Sequence, residues 1–151
     1  HNFRTMEDPS GISLRPLNNA PHDPCRRMPK KFLQACYFEQ PSWWSRIFEK
    51  DFAAVGALCA QTQGTPVQEA CFRGTGNVAA PTFNFDVKKT IDACGAMPSR
   101  DAEILCRAGA SWSFFAEPLY QPLSPLLCDG VSDSERAHCV KKSDIFNTNA
   151  I

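Results

Sequence analysis

Eight cysteines are the residues of this chain best equipped for chemistry: Cys25, Cys36, Cys59, Cys71, Cys94, Cys106, Cys128 and Cys139. Thiols ligate soft metals, act as nucleophiles or close disulfides, and their spacing separates these uses. No C-x-x-C, no C-x-x-C-H and no paired Cys/His spacing of a zinc site occurs. Imidazoles are scarce, at His1, His22 and His138. An even number of cysteines without ligand spacing favours disulfides over buried free thiols or a metal centre. Disulfides in turn imply an oxidising compartment, extracellular or periplasmic.

The other candidates for chemistry are weaker. Gly109-Ala110-Ser111-Trp112-Ser113 lacks the G-x-S-x-G form of a nucleophile turn. Gly74-Thr75-Gly76 is a G-x-G fragment without the third glycine of a dinucleotide loop. Asp51, Asp86, Asp92 and Glu103 fall at helix positions, where carboxylates more often face solvent or a helix dipole than work as an acid/base pair. His1 could chelate copper through its amine and ring with help from His22 or His138, but their spacing supplies no such partner. The cluster Arg26-Arg27-Lys30-Lys31 could meet an acidic partner or anionic headgroups, or give a terminal repeat its polar face. The expectation is a protein that is not an enzyme and has no cofactor and no metal.

Composition narrows the class further. The 151 residues carry 16 Lys+Arg against 16 Asp+Glu, so zero net charge removes any broad attraction to nucleic acid. No apolar run approaches the ~20 residues that span a bilayer. At 43% hydrophobic, the chain is too apolar and too balanced in charge for disorder.

The cysteines also carry a repeat. Taken alternately they form two series, 25, 59, 94, 128 and 36, 71, 106, 139, with steps of 33 to 35 residues. Within each unit the two cysteines lie 11 or 12 residues apart. Four units of about 35 residues follow. Between paired cysteines lies helix-start chemistry. Thr65-Pro66-Val67-Gln68 and Ser132-Asp133-Ser134-Glu135 read as capping boxes, and Ser99 reads as an N-cap ahead of Asp101 and Glu103. Phe52, Val55, Leu58 and Cys59 share one helical face over 49–59, as do Val87, Ile91 and Cys94 over 86–95. Each unit thus reads as a helix ending near its first cysteine, a loop, and a second helix carrying the other.

Antiparallel packing of such hairpins brings the two sulfurs together. The expected pairs are Cys25–Cys36, Cys59–Cys71, Cys94–Cys106 and Cys128–Cys139. The fold expected is all-α, a short solenoid of four αα-hairpin repeats with one disulfide each. A bundle with long-range pairings is the alternative. The pattern resembles the Sel1-like and TPR-like αα-repeat families, in particular cysteine-rich secreted Sel1-like proteins, over roughly 25–142. The resemblance implies a role in protein–protein interaction or scaffolding. A likeness to twin-cysteine helical hairpin proteins of mitochondria fits less well, because Pro29, Gly64, Pro66, Pro98 and Gly130 interrupt the stretches between paired cysteines. Cys71-Phe72-Arg73-Gly74 and Cys106-Arg107-Ala108-Gly109 echo each other and suggest a small residue where helices approach closely.

Residues 1–24, with Pro9, Pro16, Pro21 and Pro24, read as an extended arm ahead of a helical domain over 25–151. Such an arm is ordered by lying on its own domain or on a neighbouring subunit. The start at His1 reads as a mature chain whose export signal has been removed. Aromatic stretches 41–48, 81–85 and 111–115 read as linkers between units that pack the repeats together. Trp43 and Trp44, adjacent in sequence, cannot both face one core, so one of them is a candidate partner contact. The function expected is a secreted or periplasmic structural subunit of a larger assembly, filamentous where the contact runs head to tail, with copies of itself or other subunits as partners. A monomeric module binding protein, peptide or glycan is the alternative.

Overall fold

Helix starts are set by the residues that precede them. The structure, a computed structural model, describes residues 20–144, and every regular element among them is helical. Six α-helices are α1 (Leu33–Ile47), α2 (Phe52–Ala60), α3 (Thr65–Thr82), α4 (Val87–Cys94), α5 (Arg100–Ala116) and α6 (Asp133–Ser143). Three 3-10 segments, Cys25–Arg27, Lys30–Phe32 and Gln121–Cys128, complete the regular elements of the described residues. Asp51 and Asp86 cap α2 and α4, accepting from the Ala54 and Lys89 amides at 3.2 and 2.9 Å. Ser99 caps α5 through the Ala102 amide at 3.1 Å. At α6 Ser132 and Glu135 form a reciprocal capping box. Each such cap satisfies amides that a helix start leaves without a partner.

The start of α3 departs from the expected capping box. Gly64, not Thr65, is the N-cap, with φ at +89°. Thr65 is already helical, and the Gln68 side chain instead donates to the carbonyls of Ala60 and Thr62. A left-handed residue turns the chain sharply enough to bring α3 back along α2, and glycine adopts it without a Cβ penalty.

Four disulfides join Cys25 to Cys36, Cys59 to Cys71, Cys94 to Cys106 and Cys128 to Cys139, with Cα–Cα separations of 5.4 to 5.7 Å. Each links a short element to the longer helix that follows it. The longer helices pack in chain order: α1 against α3, α3 against α5, α5 against α6. Backbone comes close to backbone at the first two contacts. A Cβ on Gly74 of α3 would fall on the Phe38 carbonyl of α1. One on Gly76 would fall on the Cys106 carbonyl of α5, and one on Gly109 of α5 on the Arg73 carbonyl of α3.

Buried apolar side chains form three clusters. Tyr37, Trp44, Phe52, Val55, Phe72 and Leu105 belong to the largest, around α1 to α5. Ala80, Ala110, Phe114 and Leu127 join α3 and α5 to the Gln121–Cys128 segment, under Phe85 and Tyr120. Ile104, Ala108 and the Cys128–Cys139 pair seat α6 on α5.

Two aromatic linkers expected from the sequence are helix instead. Residues 41–47 are the second half of α1 and 111–115 lie inside α5. Pro41, which should break a helix, is buried with Gln40 and Trp44 in one helical face, and that packing carries α1 through it. The third stretch does contain a turn. After α1 and again after α3 the chain passes through two left-handed residues, Glu49-Lys50 and Asn84-Phe85. The Lys50 and Phe85 amides reach back to the Ser45 and Ala80 carbonyls, both at 2.8 Å. Each turn then ends in an aspartate cap, Asp51 or Asp86. All corresponding positions lie 35 residues apart.

The boundary between arm and domain also moves. Residues 1–19 of the expected arm, and 145–151 at the other end, lie outside the described residues. Residues 21–24 belong to the domain. The Trp44 Nε1 and Gln40 Nε2 donate to the Pro21 carbonyl at 2.9 and 3.3 Å, and Asp23 is buried. Bulky polar groups of α1 need those acceptors, so the segment packs on the helix.

Candidate functional site

Of the two tryptophans, Trp44 is fully buried, so it is unsuited to contact a partner; Trp43 is half-buried against the largest cluster. Their opposite environments follow from the 100° turn between neighbouring helical residues. The imidazole of His22 packs edge-on to Trp44 at 5.4 Å between centroids. Its Nδ1 meets the Tyr37 hydroxyl at 3.1 Å and its Nε2 meets the Gln61 Oε1 at 2.9 Å. With an amide oxygen on Nε2, the neutral ring carries its proton there and accepts from Tyr37 at Nδ1. Burial pushes the Tyr37 hydroxyl pKa up, against the Arg26 charge and with the Asp23 charge. Pro21, His22, Leu33, Tyr37, Gln61 and Val67 line an open groove of about 330 Å³ here. Hydrogen-bonded polar side chains and apolar ones share its lining, a mixture suited to binding.

Two arginines are buried between helices. Arg107 of α5 donates to the Leu127 carbonyl at 2.6 Å and the Asp129 carbonyl at 2.5 Å, covering the end of the Gln121–Cys128 segment. Arg73 of α3 donates to the Lys142 carbonyl at 3.4 Å, where the negative end of α6 favours a cation. Lys142 in turn bonds Glu69 of α3 at 2.7 Å, so α6 is tied past α5 to α3. Burial draws the pKa of both guanidiniums down, and Glu69 opposes this at Arg73. These arginines sit beside the glycines in the two echoing segments of the sequence.

Comparison with protein-family models, curated proteins and solved structures found no match for this chain. Asp51 and Asp86 are caps, Asp92 pairs with Lys88 at 3.0 Å, and Glu103 pairs with Arg100 at 3.0 Å. His138 lies 3.4 Å from Asp101, and His1 is outside the described residues. Among the described residues no group of three His, Cys, Asp or Glu side chains could hold a metal ion. No helix among them is long and apolar enough to cross a membrane.

Charged and apolar side chains gather in three surface regions. Arg26, Arg27, Lys30 and Lys31 surround the exposed Met28 and Phe32 ahead of α1, and Asp23 holds both arginines at 2.7 and 3.2 Å. At the start of α5 and α6 stand Asp101, Glu103, Asp129, Asp133 and Glu135. Arg100 joins the two helices through both oxygens of Glu135, at 2.7 and 2.9 Å. In a third, Phe115 near the end of α5 and Leu119, Leu123 and Leu126 after it are exposed, Leu119 to 78%.

The Arg100–Glu135 pair gives a pH signature. Hydrogen bonds from Arg100 first, then from the Ser132 backbone, hold the Glu135 carboxyl down to about 2. A folded-state value below the unfolded one stabilises above the usual carboxylate range and is lost as pH falls toward 2. The wild type is expected to lose stability relative to Glu135→Gln across that acid window, and to differ by a constant amount above it. Denaturation midpoints of both proteins against pH check this.

Proposed function

We propose that the chain is a structural or scaffolding subunit of a larger extracellular or periplasmic assembly, built as a four-repeat solenoid of αα-hairpins. The carrying observation is the state of the first and last hairpins. A free-standing repeat domain covers its two ends with polar residues. Here Met28 and Phe32 stay exposed at the first hairpin and Val140, 56% exposed, on α6 of the last. Stacking of α1, α3, α5 and α6 in chain order and the two identical turns 35 residues apart support the repeat reading. Four disulfides closed within the chain, and no spanning helix among the described residues, fit an oxidising compartment. The resemblance to secreted Sel1-like repeat proteins points the same way.

Light scattering of the non-reduced full chain after size exclusion, with negative-stain imaging, tests the proposal. The expected result is a species several times the 16.7 kDa of one chain. A monomer at every concentration overturns it. The monomeric binding module then becomes the reading, with the His22–Tyr37–Gln61 groove as its site.

A further inference from the structure

The four stretches enclosed by the disulfides correspond in the cysteine repeat, and the first differs from the other three. Between Cys59 and Cys71 the one charged residue is Glu69. Between Cys94 and Cys106 Arg100 stands against Asp101 and Glu103. Between Cys128 and Cys139 Arg136 stands against Asp129, Asp133 and Glu135. By formal charge all three are acidic on balance, and none exposes a large apolar side chain. Between Cys25 and Cys36 stand Arg26, Arg27, Lys30 and Lys31 with no carboxylate, and Met28 and Phe32 are 40% and 49% exposed. Three stretches of nearly the same length close their disulfides without these features, so the hairpin itself does not require them. Every residue from Arg26 to Phe32 is exposed. Asp23, beside the loop, is buried and holds Arg26 and Arg27 at 2.7 and 3.2 Å, so Lys30 and Lys31 carry the outward charge. The Lys31 ammonium lies 5.1 Å from the centre of the Phe32 ring. The Met28 and Phe32 amides donate to the Cys25 and Pro29 carbonyls at 3.0 and 2.9 Å, which fixes the two short turns of the loop.

We propose that this loop docks on an anionic lipid surface, with Met28 and Phe32 entering the headgroup layer and Lys30 and Lys31 meeting lipid phosphates. Each lysine held near an anionic leaflet adds attraction, and its long stem keeps the ammonium among the headgroups while a neighbouring ring goes deeper. The Lys31 ammonium over the Phe32 ring suits that arrangement. An acidic polysaccharide satisfies the cations alone and leaves Met28 and Phe32 against water. Two apolar tips on one short loop also bury little of the about 1,200–2,000 Å² that a specific protein interface needs. A fluid bilayer surrounds each tip by itself and offers negative charge on every side of it. Because the loop is closed by Cys25–Cys36 and pinned by its own turns, little freedom is lost on docking. The inference goes beyond the assembly reading. That reading asks for a cover over the first hairpin, and the cover assigned here is lipid, which leaves Val140 of α6 to other subunits.

Cosedimentation of the non-reduced full chain with lipid vesicles tests it. One set is a roughly two-to-one mixture of phosphatidylcholine and phosphatidylglycerol, the other phosphatidylcholine alone. In low salt the chain is expected to bind the anionic vesicles at least about tenfold more tightly than the neutral ones. Lys30→Gln with Lys31→Gln weakens that binding about 25-fold, about fivefold for each lysine at the surface. Met28→Ser with Phe32→Ser changes no charge and weakens it at least about tenfold. Raising salt from about 0.1 to about 1 M shortens the Debye length from about 10 to about 3 Å and removes most of the difference between the two vesicle types. Equal binding to both vesicle types, or binding to neither, overturns the proposal. A serine pair that binds as the wild type does also overturns it, in favour of a charge-only contact with an acidic polymer. Circular dichroism monitors folding, and Phe32→Ser alone replaces the serine pair if that one unfolds, with an expected loss of at least about fivefold. Light scattering of the wild type without vesicles keeps the two readings apart. A monomer that binds the anionic vesicles sustains the lipid contact and overturns the assembly, and an oligomer that does not bind them does the reverse.

Discussion

Reduction of the four disulfides is expected to leave the chain without a cooperative thermal transition at neutral pH. Each disulfide closes a ring of about 12 residues, which in the chain-entropy model stabilises by about 2.8 kcal/mol, or about 11 kcal/mol for all four. A domain of this size has a net stability of about 5–15 kcal/mol. The staples therefore account for most of it, because buried apolar side chains are divided among three clusters. Far-UV circular dichroism with heating, before and after reduction and alkylation, measures the effect. A reduced protein melting within a few degrees of the oxidised one contradicts it. Location matters as well as number. Replacing Cys25 and Cys36 by serine is expected to loosen the Cys25–Arg27 segment and the start of α1, a helix that packs mainly on α3. Replacing Cys94 and Cys106 is expected to lower the main transition, because α5 contacts α3, α4 and α6. Hydrogen exchange separates the two.

Gly76→Ala is expected to destabilise by about 4 kcal/mol, a shift of roughly 10 °C in Tm. Alanine is the better helix former by about 1 kcal/mol, so in an open helix this substitution stabilises. Here the added methyl lands on the Cys106 carbonyl and 2.8 Å from the Ala110 amide nitrogen, both backbone atoms of α5. No rotamer change relieves such a clash, and α3 must move away from α5 along the contact. Gly109→Ala meets the Arg73 backbone from the other side and is expected to cost as much. Gly64→Ala provides the comparison. Its Cβ has nothing within 4 Å, so only the left-handed φ is penalised, by about 1 kcal/mol. Denaturant midpoints of the non-reduced variants rank them. A stabilised Gly76→Ala protein contradicts the close approach of the two helices.

The sequence carried the local features of this protein. Asp51, Asp86, Ser99 and Ser132 mark helix starts because capping depends on three or four neighbouring residues, and cysteines 11 or 12 apart can meet across one loop. A turn repeated at Phe48-Glu49-Lys50-Asp51 and Phe83-Asn84-Phe85-Asp86 was written there too, in an F-x-x-D spacing that cysteine periodicity overshadowed. What depends on distant neighbours was not legible. Pro41 reads as a break until burial with Trp44 carries the helix through it, and Pro21 reads as arm until Trp44 and Gln40 need its carbonyl. No neighbouring residue marks Arg73 and Arg107 for burial; the ends of elements 69 and 20 residues away supply the carbonyls that hold them. Caps, turns and local rings are settled by a few adjacent residues at little entropic cost. Whether an arginine, a proline or a tryptophan is buried depends on groups brought together only when the whole chain packs.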